Sequence, residues 1–270
     1  MLREYTIMSK TLGLALGAGG TRGIAHVGFL KALEEADIRP DYIAGSSMGS
    51  VVGACYSKGM TCDEMRDIAF ELKTTDILDV SLIALAKLGL LKSVRVRKLI
   101  SGFLEDCTFE QLHIPFCCVA VDLKTAELKC FSEGSVVDAV LASSAMPTVF
   151  RPVEIDGMLL VDGGVLCRVP VREVKKMGAD VVVAVDVLGK VEKLDKVPNV
   201  LSLVTRVYDI MDCKRTQTVH TKHSRKIDLW LEPEMEDVSQ YKVKNIEAAY
   251  EAGYRIGKEN AEKIKELISE

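Results

Sequence analysis

Three short segments hold residue types and spacings that could do acyl chemistry. In the first, Gly45-Ser46-Ser47-Met48-Gly49, a serine has a glycine two places to either side. The G-x-S-x-G spacing belongs to a strand-to-helix turn too sharp for side chains at the flanking positions, and it thrusts the serine hydroxyl into solvent. A helix N-terminus stabilises a developing alkoxide there, and the N–H of Met48 can point at an acyl oxyanion. Read blandly, Ser47 would only cap the helix that follows. One strand-helix unit earlier lies Gly17-Ala18-Gly19-Gly20-Thr21-Arg22-Gly23. Bunched glycines at a helix N-terminus aim successive N–H groups into one concavity that holds negative charge. Nucleotide fingerprints fit it poorly: counting G-x-G-x-x-G from Gly17 puts Arg22 where the third glycine belongs, and no Gly-Lys-Ser/Thr is present. Loop and elbow together supply the oxyanion donors and the nucleophile of an acyl-transfer site.

A serine hydroxyl also needs a base to take its proton. Four histidines are available: His26 just past the glycine loop, His113 in a loop before Pro115, and His220 and His223 in a polar run. The last two follow the chain order of the Ser, Asp, His hydrolases but read as a solvated helix end. The competing candidate is Asp162, in Met158-Leu159-Leu160-Val161-Asp162-Gly163-Gly164. An apolar strand delivers this carboxylate to a strand end, where α/β sheets place ligands. Asp-Gly is also a common turn, so the residues alone leave the base open. An aspartate of ordinary pKa, about 3.9, cannot deprotonate serine outright. It could serve only in a concerted transfer, with its pKa raised by a dry site. Arg22 either orders the glycine loop or binds a phosphate headgroup.

Positioning these groups takes alternating short Val/Ile/Leu runs and helix-period stretches, the pattern of an α/β protein with a parallel sheet covered on both faces. Strands are expected at Leu12–Leu16, Tyr42–Ala44, Phe116–Asp122, Leu128–Phe131, Met158–Val161, Val181–Val187 and Ile227–Leu231. Val181–Asp186, apolar on both faces, reads as the central strand. Helices are expected at Ile24–Ala36, Met48–Lys58, about Val200–His220 and about Glu247–Ile268. No repeat or linker divides the chain, so residues 1–270 are read as one domain. Residues 76–105 break the rhythm: they are Leu-dense and carry Lys87, Lys92, Arg95, Arg97 and Lys98. Such an insertion suits a cap that covers the site or seats it on anionic lipid, or equally a helix pair packed on the core with a solvated basic face.

Composition narrows the function classes. The 270 residues, 48% hydrophobic and 27% charged, can bury a full core, and a net charge of -4 offers no basic field for nucleic acid. Eight cysteines without paired metal-ligand spacing suggest reduced thiols, no metal site and a cytoplasmic address. The N-terminal apolar stretch runs into the glycine loop rather than a cleavage site, and is read as a strand, not a signal peptide. No apolar run is long enough to span a bilayer.

In this order, the glycine loop, the elbow and the Asp162-Gly163-Gly164 turn resemble the patatin-like phospholipase family. The segment Ala142-Ser143-Ser144-Ala145-Met146-Pro147-Thr148-Val149-Phe150-Arg151-Pro152-Val153 also resembles the block that precedes D-G-G in that family. The likeness covers about residues 11–190 and is nearest to bacterial members related to the catalytic part of neuropathy target esterase. It implies a three-layer α/β/α fold with a mostly parallel sheet, and a Ser/Asp dyad without histidine. Ser47 would then be the nucleophile and Asp162 the base. It further implies oxyanion donors at Gly19, Gly20 and Thr21 beside Met48, supported by Gly17, Arg22, Gly23, Gly45, Gly49, Gly163 and Gly164. No cofactor is implied, the substrate would be an acyl lipid, and contact with membrane would be peripheral. The alternatives are a protein of this fold that acts by binding a partner, and a nucleotide-binding α/β protein.

Overall fold

The computed structural model describes residues 10–71, 94–147, 149–191, 196–235, 238–241 and 244–269. Its spine is an eight-stranded mixed sheet in the order β5-β6-β3-β2-β1-β7-β8, with β4 on β3. The strands are β1 (Leu12–Leu16), β2 (Tyr42–Ser46), β3 (Phe116–Asp122), β4 (Glu127–Phe131), β5 (Val153–Ile155), β6 (Met158–Asp162), β7 (Val181–Val185) and β8 (Leu229–Leu231). Strands β3, β2, β1, β7 and β8 run parallel, while β4, β5 and β6 join through antiparallel pairs.

Helices cover both faces. They are α1 (Ala25–Glu35), α2 (Met48–Lys58), α3 (Cys62–Glu71), α4 (Val94–Leu104), α5 (Val136–Ser143), α6 (Val171–Lys176), α7 (Val200–His223) and α8 (Ile246–Ser269). Strand alternation sorts the core. Leu12, Leu14, Leu16, Ile43 and Val183 meet α1, α2 and α8 on one face, while the smaller Ala15, Ala44, Val182 and Ala184 meet Val171 and Val174 of α6 on the other. The C-terminal helix, which the sequence left without a role, packs along α1 and buries Ile246, Ala249, Tyr250 and Ile264.

Two expectations need correction. Val181–Val185 is buried on both faces, yet it lies between β1 and edge strand β8, not at the sheet's centre. Cover on both faces reports the layers above and below and says nothing about position along the sheet. Helix α5 was not expected, because Val136-Val137-Asp138-Ala139-Val140 is rich in β-branched residues. Ser135 caps it by accepting the N–H of Asp138 at 3.2 Å, and burial all round replaces the missing amphipathic period. Residues 72–93, and with them 76–93 of the expected cap including Lys87 and Lys92, lie outside the described residues, as does the side chain of Arg95. Residues 94–104 form α4, whose Arg97 pairs with Asp138.

One feature of β3 creates the site. Cys118–Asp122 pair with β4 along one edge of this strand. The opposite edge is therefore shared by β2, paired at Phe116–Val119, and β6, paired at Ala120–Asp122. Strand β2 runs parallel to β3 and β6 antiparallel, so their C-terminal ends meet head-on. Ser46 lies opposite Val119 and Asp162 opposite the next residue, Ala120.

Candidate active site

That meeting brings the elbow serine to the aspartate. Ser47 Oγ donates to Asp162 Oδ2 at 2.5 Å, and Ser47 makes no side-chain cap of α2, which disposes of the simple capping role. The elbow is strained as its sequence requires: Ser47 has φ 51° and ψ -122°, a conformation that costs a non-glycine residue about 1–3 kcal/mol. Three contacts hold it. Its N–H donates to Ser143 Oγ at 3.0 Å, and its carbonyl accepts from Ser50 Oγ at 2.6 Å and Ser144 Oγ at 3.4 Å. A Cβ at Gly49 would stand 2.2 Å from Leu16 O, so α2 can start this close to β1 only with glycine there. The neighbouring Ser46 is fully buried and donates to Cys167 O at 2.9 Å.

Asp162 is 4% exposed. Burial pushes its carboxyl pKa up to about 6, against the opposing pull of the Ser47 hydroxyl and the Gly164 N–H, which donates to Oδ1 at 2.8 Å. The negative charge of Asp212 adds to the rise. A carboxylate so placed titrates close to neutrality, as proton transfer to and from an alcohol requires.

The glycine loop becomes a 3-10 turn, Gly20–Ile24, ahead of α1. Among the described residues, no group accepts from the N–H of Gly19, Gly20 or Met48. The first N–H groups of a helix lack intrahelical partners, so they are donors waiting for an anion. Thr21, expected with them, is different: its N–H donates to Gln240 O at 3.1 Å. Gly20 has φ 51°, and a Cβ there would meet that same Gln240 O at 2.2 Å. Arg22 ties the loop to later segments, donating from Nε to Val238 O at 2.6 Å and from a terminal nitrogen to Leu188 O at 3.4 Å. Loop and elbow abut, since a Cβ at Gly23 would lie 2.3 Å from Met48 Cγ.

Three of the histidines have contacts away from the serine. His26 is fully buried, and its Nε2–H donates to Gly17 O at 2.8 Å. Burial lowers its pKa to about 4, so it stays neutral and holds the loop. His113 lies beside Gly59, and His220 stacks on Trp230 with ring centres 4.4 Å apart. His223 ends α7, and its side chain lies outside the described residues.

A buried network that the sequence did not disclose ties loop to turn. Ala18 N–H donates to Arg168 O at 2.9 Å, and the Arg168 guanidinium bridges Asp186 and Asp212. Asp212 also receives Arg215, which donates to Gly164 O at 2.8 Å. Pairs separated by 18 and 44 residues have no local signature. Only Ser143 and Ser144 were visible beforehand, inside the block that carries the family resemblance. Arg168→Met would leave the buried Asp186 without its cation and Asp212 with Arg215 alone, so it should cost about 3–5 kcal/mol in urea unfolding. A loss under about 1 kcal/mol would show that the network is not a structural brace.

Among the described residues, several cavities adjoin these elements. One, about 400 Å³, lies behind the glycine loop and is lined by Arg22, Arg168, Asp212 and Gln240; it reaches neither Ser47 nor Asp162. A smaller one, about 130 Å³, is walled almost wholly by apolar atoms and has Met48 in its lining, but neither Ser47 nor Asp162. It runs between α1, α2, α3 and α4, past Val51, Cys55 and Met65 to Ile100 and Phe103. Part of the expected cap thus lines an apolar pocket that it shares with Met48 of the elbow.

Residues 14–175 match the family profile described as patatin-like phospholipase. An uncharacterised NTE family protein of Mycobacterium tuberculosis is 37% identical over 188 residues, covering 70% of this chain and 52% of that protein. Lysophospholipase nte1 of Aspergillus fumigatus is 28% identical over 286 residues, covering 96% of this chain and 19% of that protein. The chain therefore spans about half the length of the mycobacterial relative and a smaller share of the fungal one. Among solved structures, VipD from Legionella pneumophila superposes with a TM-score of 0.57 at 14% identity, over 95% of this chain and 67% of that one, a likeness of fold.

Proposed function

The chain belongs to the patatin-like phospholipase family, and from that footing we propose that it hydrolyses carboxylic esters of lipids with Ser47 as nucleophile and Asp162 as its base. The observation that carries the reading is the 2.5 Å hydrogen bond between Ser47 Oγ and a buried carboxylate whose pKa stands near 6. As Ser47 Oγ attacks the ester carbonyl carbon, its proton passes to Asp162 Oδ2. The N–H groups of Gly19, Gly20 and Met48 hold the oxyanion of the tetrahedral intermediate, and one such donor is worth about 3–4 kcal/mol. Collapse breaks the bond to the leaving alcohol, which takes the proton from Asp162, and leaves an acyl group on Ser47. Water then loses a proton to Asp162, attacks the acyl-enzyme, and releases the fatty acid as Ser47 recovers its proton. The apolar pocket that Met48 helps to line supports a fatty acyl group as part of the substrate. The name of the fungal relative supports a lysophospholipid among its substrates.

Labelling with a serine-reactive fluorophosphonate followed by peptide mapping tests the assignment. Label is expected on Ser47, at a rate that falls on the acid side of about pH 6 as Asp162 becomes protonated. Label on buried Ser46, or a rate indifferent to that titration, would remove the proposed dyad.

A further inference from the structure

Among the described residues, helix α7 has one exposed apolar face. Val200, Leu203, Val204, Val207, Ile210 and Met211 are 76, 50, 46, 47, 44 and 64% exposed. Their spacing of three and four gathers them on one side of the helix, while Asp212, Cys213 and Thr216 are buried on the other. Contiguous exposed apolar residues of this kind mark a partner or membrane surface. Beyond Met211 the outward stripe continues as Lys214, Thr218, Thr221 and Lys222, and then Arg225 and Lys226, all exposed. No Asp or Glu stands on it, although the whole chain carries a net charge of -4.

We propose that this face of α7 docks the protein onto an anionic lipid bilayer. Its first three turns would sink apolar side chains into the headgroup and acyl boundary, and its cations would meet the negative surface beside them. Charge chooses this occupant over a second copy of the chain. Two such faces could set cation against cation or cation against carbon, with no acidic partner, whereas an anionic bilayer offers both an apolar layer and negative charge.

The placement suits the proposed lipid-ester chemistry, on which the functional meaning of this surface rests. Tyr208, on the same helix, brings its hydroxyl to 3.3 Å from the Cβ position of Gly164 in the Asp162-Gly163-Gly164 turn. Arg215 of α7 donates to Gly164 O, and Leu166, just past that turn, is 38% exposed. A bilayer met by α7 therefore lies next to the Ser47 and Asp162 pair.

The test is co-sedimentation of the full chain with vesicles of phosphatidylcholine alone, or of equal parts phosphatidylcholine and phosphatidylglycerol. Two variants are compared with the parent: Val200→Ser, Leu203→Gln, Val207→Gln and Met211→Gln together, and Lys214→Gln, Lys222→Gln, Arg225→Gln and Lys226→Gln together. The parent should bind the mixed vesicles, and each variant should lose that binding by about tenfold or more. High salt should mimic the charge variant, since it screens surface charge. Both variants should turn over a soluble p-nitrophenyl ester at the parental rate. Parental vesicle binding by the apolar variant would overturn the proposal. So would a parent dimer, seen by light scattering, that the apolar substitutions dissociate while vesicles recruit nothing. Sedimentation needs no turnover, so a parent that binds vesicles but hydrolyses no ester would refute the enzymatic reading and leave the surface standing.

Discussion

Ser47→Ala is expected to lower kcat on a soluble short-chain ester by about 10⁵- to 10⁶-fold, the scale on which removing a nucleophile acts once oxyanion donors and binding remain. Folding should survive. Alanine keeps the Cβ, so the φ of 51° is no worse tolerated, and the backbone bonds to Ser143, Ser50 and Ser144 do not involve the lost hydroxyl. The carboxyl of Asp162, however, loses a donor that favours its charged form, so its pKa should climb further above about 6. Steady-state turnover and an Asp162 titration followed by NMR would check both. Activity within about tenfold of the parent would mean that another residue attacks the ester.

Asp162→Asn should cost about 10⁴-fold in kcat, the upper range for removing a positioned base, because an amide cannot accept the serine proton. The kcat/KM of the parent should rise with pH through about 6, the protonation of Asp162, and the variant should lack this acid limb. Replacing His26, His113, His220 or His223 singly should leave measurable turnover. A folded histidine variant as damaged as Asp162→Asn would restore a triad.

The same substitution should separate stability from activity. Burial raises the folded pKa of Asp162 above its unfolded value, so the folded state prefers the protonated acid. The stability this gives is fully present below the unfolded pKa, about 3.9, and is lost as pH rises through about 6. The rise of about two units corresponds to about 3 kcal/mol. Asparagine does not titrate, so between pH 4 and pH 8 urea unfolding should shift by about that much in favour of Asp162→Asn relative to the parent. An unchanged difference would mean that the carboxylate is not held in a dry site.

What could be read from the sequence was local. The G-x-S-x-G spacing dictated a strained elbow, the bunched glycines a loop with unpaired donors, and the apolar runs most of the strands and four of the helices. Each signal lies within a few residues, because sterics at a turn and side-chain period along a strand act over that range. Asp162 was legible only as an aspartate at a strand end. What made it a base partner is the edge of β3, where β2 and β6 meet from opposite directions and set Ser46 and Asp162 opposite consecutive residues. A side-chain contact between residues 115 apart, made by pairing both strands to β3, leaves no mark on either segment. Tertiary contact likewise decided which donors stay open, since Gln240, some 219 residues after Thr21, takes that N–H and leaves those of Gly19 and Gly20. The shift of the Asp162 pKa to about 6 belongs to the same class, because burial is a property of everything packed around a carboxylate and of no residue alone.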